Sequence, residues 1–208
     1  MNDLPSVVKF SSVESYVDDT KVYLSFSSKD IDSCLTKVTE DLRLIAAWCS
    51  TNKLLINPSK TKLILFGMRQ LLSKIPDVRV PFLSQNLAPV PLVKDLGIIL
   101  DSNLTFNEHV KTLTSSLISS MCQISKVRHI FSKSVFWIAW FLVSSSIVLL
   151  YAWSGTFKHN IHKLQLVQNF AARVLTNTRK FDHISPVLRE LGWSSIKHLL
   201  LVRDVTQL

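Results

Sequence analysis

Two carboxylates stand side by side at Asp18 and Asp19, between β-prone runs at Val13 to Val17 and Lys21 to Phe26. That pattern predicts an antiparallel hairpin with its acids at the turn. Like charges this close repel, and a partly desolvated pair takes up a proton unless a cation answers it. A hard divalent ion suits the pair, because carboxylate oxygens bind Mg²⁺ or Mn²⁺ beside substrate phosphates. Asp-Asp-Thr is also ordinary turn chemistry, since Asp side chains bond to nearby backbone N–H groups. Neighbouring strand residues point to opposite faces, so both acids reach one ion only if the turn rotates one of them. Such geometry suits one primary ligand and one helper.

The surrounding residues favour the metal site. Tyr16-Val17-Asp18-Asp19 resembles the Tyr-x-Asp-Asp box of reverse transcriptases, and the text around it resembles the non-LTR (LINE-type) retrotransposon branch. Asn2-Asp3-Leu4-Pro5 resembles the run preceding the catalytic hairpin in that family. Trp48, Asn52-Lys53-Leu54 and Asn57-Pro58-Ser59-Lys60-Thr61-Lys62 resemble motif D. Lys94-Asp95-Leu96-Gly97-Ile98-Ile99-Leu100-Asp101, followed by Leu104 and His109, resembles the primer grip, motif E. Four blocks in the family's order are far more specific than any one.

The resemblance implies Asp18 as primary ligand for Mg²⁺ or Mn²⁺ and Asp19 as second carboxylate, with Tyr16 and Val17 beneath the primer end. It implies Lys60, and less strongly Lys62, as the residue that binds triphosphate or protonates pyrophosphate; a surface lysine in a turn is the competing reading. Leu96 and Gly97 fall in the grip block. RNA template and DNA primer are the implied partners. Two-metal transfer needs carboxylates from separate elements. The family's further aspartate and glycine-bearing block lie upstream of these blocks and have no counterpart in this chain. The expectation is therefore the C-terminal part of a polymerase domain, inactive alone.

The elements that must position these groups follow from periodicity. Asp30 to Thr51 carries Ile31, Cys34, Leu35, Val38, Leu42, Ile45, Ala46 and Cys49 at helical spacing, with Ser28 or Asp30 available as N-cap. Its stripe is expected to pack on the sheet that carries the hairpin, leaving Lys37 and Arg43 solvated. Leu54 to Asn57 and Lys62 to Phe66 read as strand, turn, strand. Val78 to Leu83 and Leu87 to Val90 read as a loose hairpin, followed by a Leu96 to Leu100 strand.

From Thr105 the text turns helical: Thr105-Phe106-Asn107-Glu108 is a capping box opening a helix to about Phe131. A second helix runs from about Asn160 to Asn177, a short one opens at Ser185-Pro186 and closes at Gly192, and Ser195 caps a last one. Between the two long helices, Val135 to Trp153 is apolar and uncharged over nineteen residues. That length meets the usual threshold for a membrane span, against a buried thumb helix at the corresponding place in the family; the core helix is favoured over a membrane-associated fragment.

The expected fold class is α+β: a partial polymerase palm of β-hairpin, helix and short antiparallel strands in 1–104, followed by an all-helical thumb-like module in 105–208. Net charge is +9, and it is unevenly placed: residues 1–104 hold twelve Lys and Arg against eleven acids, residues 105–208 twelve against four. The basic half points to an acidic partner such as a nucleic-acid backbone, with Lys111, Lys126 and Arg128 as candidate contacts; a passive nucleic-acid-binding module is the alternative to a polymerase remnant. Cys34, Cys49 and Cys122 lack metal-ligand spacing and read as buried hydrophobes. The first twenty residues carry five charged side chains and no secretory signal, implying an intracellular chain, nuclear or cytoplasmic.

Overall fold

The computed structural model describes residues 3–27, 29–127, 130 and 157–199. The Val135 to Trp153 segment and Arg128 lie outside them. Strands and helices mix as an α+β fold in two compact units, 1–94 with 101–104 and 95–100 with 105–208.

In the first unit, β1 (Ser12–Tyr16) pairs antiparallel with β2 (Asp19–Tyr23), Tyr16 opposite Asp19. Both strands sit earlier than the expected runs, β1 by one residue and β2 by two at its start, and just before β1 the backbone N–H groups of residues 9–11 go to a side chain instead of a ladder. Helix α1 (Ile31–Thr51) follows. It ends in a Schellman motif: Lys53 takes the left-handed conformation, Leu54 N–H donates to Cys49 O, and Lys53 N–H to Ser50 O. Asp30 occupies the N-cap without a side-chain cap bond.

No single sheet receives this helix. Its first turns pack Ile31, Leu35, Val38 and Leu42 against Val78, Val80, Phe82 and Leu87, from the hairpin of β3 (Val80–Phe82) and β4 (Gln85–Leu87) and its approach. Its last turns pack Ile45, Trp48 and Cys49 against Leu4 and Val8 and against Val13 and Val22 of the β1–β2 hairpin. The Asn-Asp-Leu-Pro block is anchored here: Leu4 is buried in a 3-10 turn (Leu4–Ser6), and Trp48 Nε1 donates to Asp3 Oδ2 at 3.2 Å.

The strand–turn–strand expected over Leu54 to Phe66 is not formed. Leu55 is fully exposed, and the segment's one ladder contact is the Leu63–Pro89 bridge, with Val90 N–H donating to Leu63 O. Both apolar runs lie beside the core without a strand edge to pair with. A short helix, α2 (Arg69–Leu72), which the sequence did not announce, follows.

Strands β5 (Leu92–Asp95) and β6 (Ile98–Asp101) form a third two-stranded pair. Leu96 and Gly97, expected in a strand, are its two turn residues, with φ of +43° and +89°. Positive φ at both central positions is what a two-residue type I′ turn requires, so Gly97 ends one strand and begins the next.

The second unit centres on α3 (Asn107–Val127) and α4 (Lys158–Thr176), whose Val110, Leu117, Met121, Leu164, Val167 and Ala171 form one core with Ile196. The capping box does not take its expected form, because the helix begins at Asn107 and the residue before it is Phe106, not Thr105. Phe106 has φ of +58°, Thr105 Oγ1 accepts the Asn107 N–H at 3.4 Å, and Glu108 pairs with Lys111. Helix α5 (Ile184–Glu190) closes on left-handed Gly192, and Ser195 Oγ accepts the His198 N–H as the next helical turn starts. Cys34 and Cys49 are buried, and burial pushes both thiols up. Cys122 is exposed, one residue round the helix from the inward Met121 and so off the apolar stripe. Among the described residues no helix is long and apolar enough to cross a membrane.

Candidate functional site: an acidic hairpin tip

The structure brings Tyr16, Val17, Asp18 and Asp19 together at the tip of one hairpin. Val17 and Asp18 are the two loop residues, and Asp19 opens β2 opposite Tyr16. All four are exposed, Tyr16 by 64% and Val17 by 76%. Val17 has φ of +55°. A β-branched residue there is an outlier, costing about 1–2 kcal/mol. Packing cannot hold it in that conformation, since Val17 buries little; the strand register on either side does. The turn breaks the strict alternation of strand side chains, which two neighbouring acids need in order to act on one ion.

Neither Asp18 nor Asp19 is used by the fold: no ion pair or side-chain hydrogen bond engages either among the described residues. Below the tip the hairpin is bound across its width. Glu14 stands opposite Lys21 and accepts from Tyr23 Oη at 3.1 Å, and Ser15 and Thr20 hydroxyls meet at 3.2 Å. Two carboxylates with free lone pairs on a stiff stem match the hard-oxygen chemistry of a divalent ion. They supply fewer oxygens than the six Mg²⁺ takes, which leaves positions for water and substrate phosphate.

The hairpin's root depends on Asp41, which sequence reasoning passed over. Its side chain is fully buried, and its carboxylate accepts three successive backbone N–H groups: Lys9 at 2.8 Å on Oδ1, then Phe10 at 3.0 Å and Ser11 at 2.7 Å on Oδ2. Burial pushes its pKa up, but the hydrogen bonds from residues 9–11 outweigh it and hold the carboxyl below its ordinary range. The chain therefore enters β1 at a point fixed to α1. A signal was present: Asp41 falls on the buried stripe of α1, between Val38 and Ile45, where an unpaired acid is not tolerated.

The other expected site residues sit on other elements, Lys60 and Lys62 in the first unit and Leu96, Gly97, Lys111 and Lys126 in the second. Lys60 is exposed in the turn built on Asn57, whose Oδ1 accepts the Ser59 N–H and whose carbonyl accepts the Lys60 N–H. No hydrogen bond or ion pair joins Lys60 to the acids. Lys62 Nζ caps Ser59 O at 3.4 Å. Leu96 and Gly97 form the separate β5–β6 turn. Lys111 is exposed on the first turns of α3, paired with Glu108 at 3.3 Å, and Lys126 is exposed on its last turn. In the first turn of α3 His109 Nδ1 accepts the Ile99 N–H at 3.3 Å, and burial lowers the imidazole pKa, keeping the ring neutral. Among the described residues no cluster of three or more His, Cys, Asp or Glu side chains forms.

Over a 200-residue alignment the chain is 26% identical to a protein of Drosophila melanogaster described as "Probable RNA-directed DNA polymerase from transposon BS". The alignment takes in 88% of this chain and 20% of that protein, so the chain spans one fifth of the curated relative it matches. This distant similarity supports a relation to the reverse transcriptases. No family model and no solved structure matches the chain.

Proposed function

We propose that the chain is the C-terminal part of a non-LTR retrotransposon RNA-directed DNA polymerase: 1–104 the later half of a palm, 105–208 a thumb-like region. One observation carries this reading. A chain similar to a transposon polymerase folds a hairpin whose only unsatisfied acids, Asp18 and Asp19, stand at a strained two-residue tip.

In this reading Asp18 and Asp19 hold Mg²⁺ or Mn²⁺, which when bound neutralises charge on the transferring phosphoryl group. Tyr16 and Val17 present an exposed surface beside the acids for the primer end. Lys60 is free in its turn to meet a triphosphate or give a proton to pyrophosphate. Leu96 and Gly97 form the turn of the primer grip, and Lys111, Lys126 and Arg128 face the phosphates of a template–primer duplex. An intracellular place, nuclear or cytoplasmic, goes with that task.

The reaction needs a carboxylate from a second element, so the isolated chain should not extend a primer. The test is RNA-templated extension with Mg²⁺ and with Mn²⁺, together with Mn²⁺ broadening of backbone amide NMR signals. Broadening confined to residues 17–20 and abolished by Asp18→Asn/Asp19→Asn is expected, with no extension product from either protein. Broadening spread over unrelated acids overturns the metal assignment, and metal-dependent extension by this chain alone overturns the deficit. A second reading, a module that binds nucleic acid without catalysis, is favoured by the +8 charge of residues 105–208; duplex affinity retained in the double variant, without Mn²⁺ binding at the tip, is its signature.

A further inference from the structure

Phe181 is 92% exposed, more than any other aromatic side chain among the described residues. Single exposed apolar residues are common, and Leu55 is one. The loop around Phe181 sets it apart. The left-handed Asn177 turns the chain away from α4, and Thr178 N–H returns to Arg173 O at 3.2 Å. Arg173 then reaches along the loop, Nε donating to Arg179 O at 3.3 Å and Nη2 to Asp182 O at 3.0 Å. Asp182 closes the loop from the other side: its Oδ2 accepts the Arg179 N–H at 3.1 Å, and its own N–H donates to Arg179 O at 3.2 Å. A guanidinium and a carboxylate, two groups well suited to binding ligands, are thus committed to holding four residues in place.

What those bonds hold out is an aromatic ring that follows two cations in the chain. Lys180 Nζ lies 5.7 Å from the Phe181 centroid, and the Arg179 and Lys180 side chains are exposed without an ion pair among the described residues. A ring that buries so little contributes little to the fold. The backbone that carries it is fixed in advance, so a ligand that covers the ring need not order the loop.

We propose that the 177–182 loop is a contact for single-stranded nucleic acid, Phe181 stacking on an unpaired base while Arg179 and Lys180 meet the flanking phosphates. The aromatic face calls for a flat π partner, the two cations call for anions beside it, and the positive balance of residues 105–208 favours a polyanion. A lipid surface fits less well: membrane insertion gains from apolar area, and the neighbours Arg179, Lys180, Asp182 and His183 are all polar. The inference rests on the proposed nucleic-acid function, and names which surface of the basic half takes unpaired strand.

The experiment uses the full chain and three ligands: fluorescein-labelled oligothymidylate, a blunt duplex of equal length, and vesicles of anionic phospholipid. Phe181→Ala should weaken oligothymidylate binding by roughly 5- to 150-fold, the worth of one base–aromatic stack, and Phe181→Trp should restore it. Because Phe181 carries no charge, Phe181→Ala should leave the salt dependence unchanged. Lys180→Ala should lower the slope of log affinity against log salt by roughly 0.7, one phosphate's worth on a single strand. The inference is overturned if Phe181→Ala binds oligothymidylate within twofold of wild type, or if it loses duplex affinity equally. It is overturned too if its effect appears on vesicles alone. A wild-type chain that binds neither nucleic acid overturns the underlying function as well, so the two failures are distinguishable.

Discussion

Replacing Asp41 by Asn separates the role of its charge from that of its shape. In the wild type one oxygen serves Lys9 and the other serves both Phe10 and Ser11. The amide of Asn keeps one oxygen, best used on Phe10 and Ser11, and turns its NH₂ toward the Lys9 N–H. One bond is lost and two fall from charge-assisted to neutral strength. Charge-assisted bonds contribute about 1.5–3 kcal/mol each and neutral ones about 0.5–1.5, so the expected loss is about 5 kcal/mol. The loop is partly open to water, and hydration of the freed amide keeps the figure from rising further. Urea unfolding followed by circular dichroism at pH 7 measures the loss, and hydrogen exchange at residues 9–11 localises it.

The pH dependence has a definite sign. A carboxyl held below its ordinary value in the fold contributes fully above the unfolded value of about 3.9. That contribution declines as the pH falls through the lower folded value. Wild type and Asp41→Asn should therefore differ most at neutral pH and converge in acid. A variant that unfolds at the wild-type urea concentration, with residues 9–11 exchanging no faster, refutes the clamp.

Two further outcomes follow from backbone and burial. Val17→Gly removes the left-handed penalty of about 1–2 kcal/mol and adds a flexibility cost of about 0.5–1, so a small net gain of about 0.5–1 kcal/mol is expected in thermal melts; a loss of that size would show that the Val17 side chain supports the tip. For His109, whose folded pKa lies below the ordinary 6.5, stability is complete above that value and declines as the pH drops from there to the folded value. Melts at pH 7.5 and 5.5 should show this decline in wild type and a smaller one in His109→Gln, and equal declines would count against the Nδ1 acceptor role.

The long elements were readable because period and punctuation agreed. Helices α1, α3 and α4 follow their three-and-four spacing to within a few residues, and the β1–β2 hairpin follows from two β-prone runs around adjacent acids. Short apolar runs misled, since a strand is made by its neighbour: Leu54 to Phe66 has the composition of two strands and finds one bridge. Polar residues on apolar stripes were the information left unused. Asp41 roots the hairpin. On α4 the buried Asn160 reaches Thr105 O and Asn107 Oδ1, and buried Gln168 holds Ser194 O at 2.9 Å while Gln165 Oε1 accepts from Ile196. Each was visible as a break in a hydrophobic pattern, yet what each one binds lies 26 to 55 residues away in the chain. The positions of Lys60, Leu96 and Gly97 in motif-like text said nothing of the turns that hold them.

Helix α1 serves two hydrophobic clusters in succession, one along its first turns and one along its last, with Asp41 between. A helix of 21 residues is about 30 Å of unbroken hydrogen bonding, stiff along its axis. It works as a lever seated in two sockets. A core substitution at Val80 or Phe82 that lets the first socket collapse would tilt the whole rod, carry Asp41 with it, and displace the entry to β1. Tolerance to mutation in the β3–β4 hairpin should thus be set by where the acidic tip ends up as much as by the cavity left behind, so that two hairpins sharing no strand evolve as one.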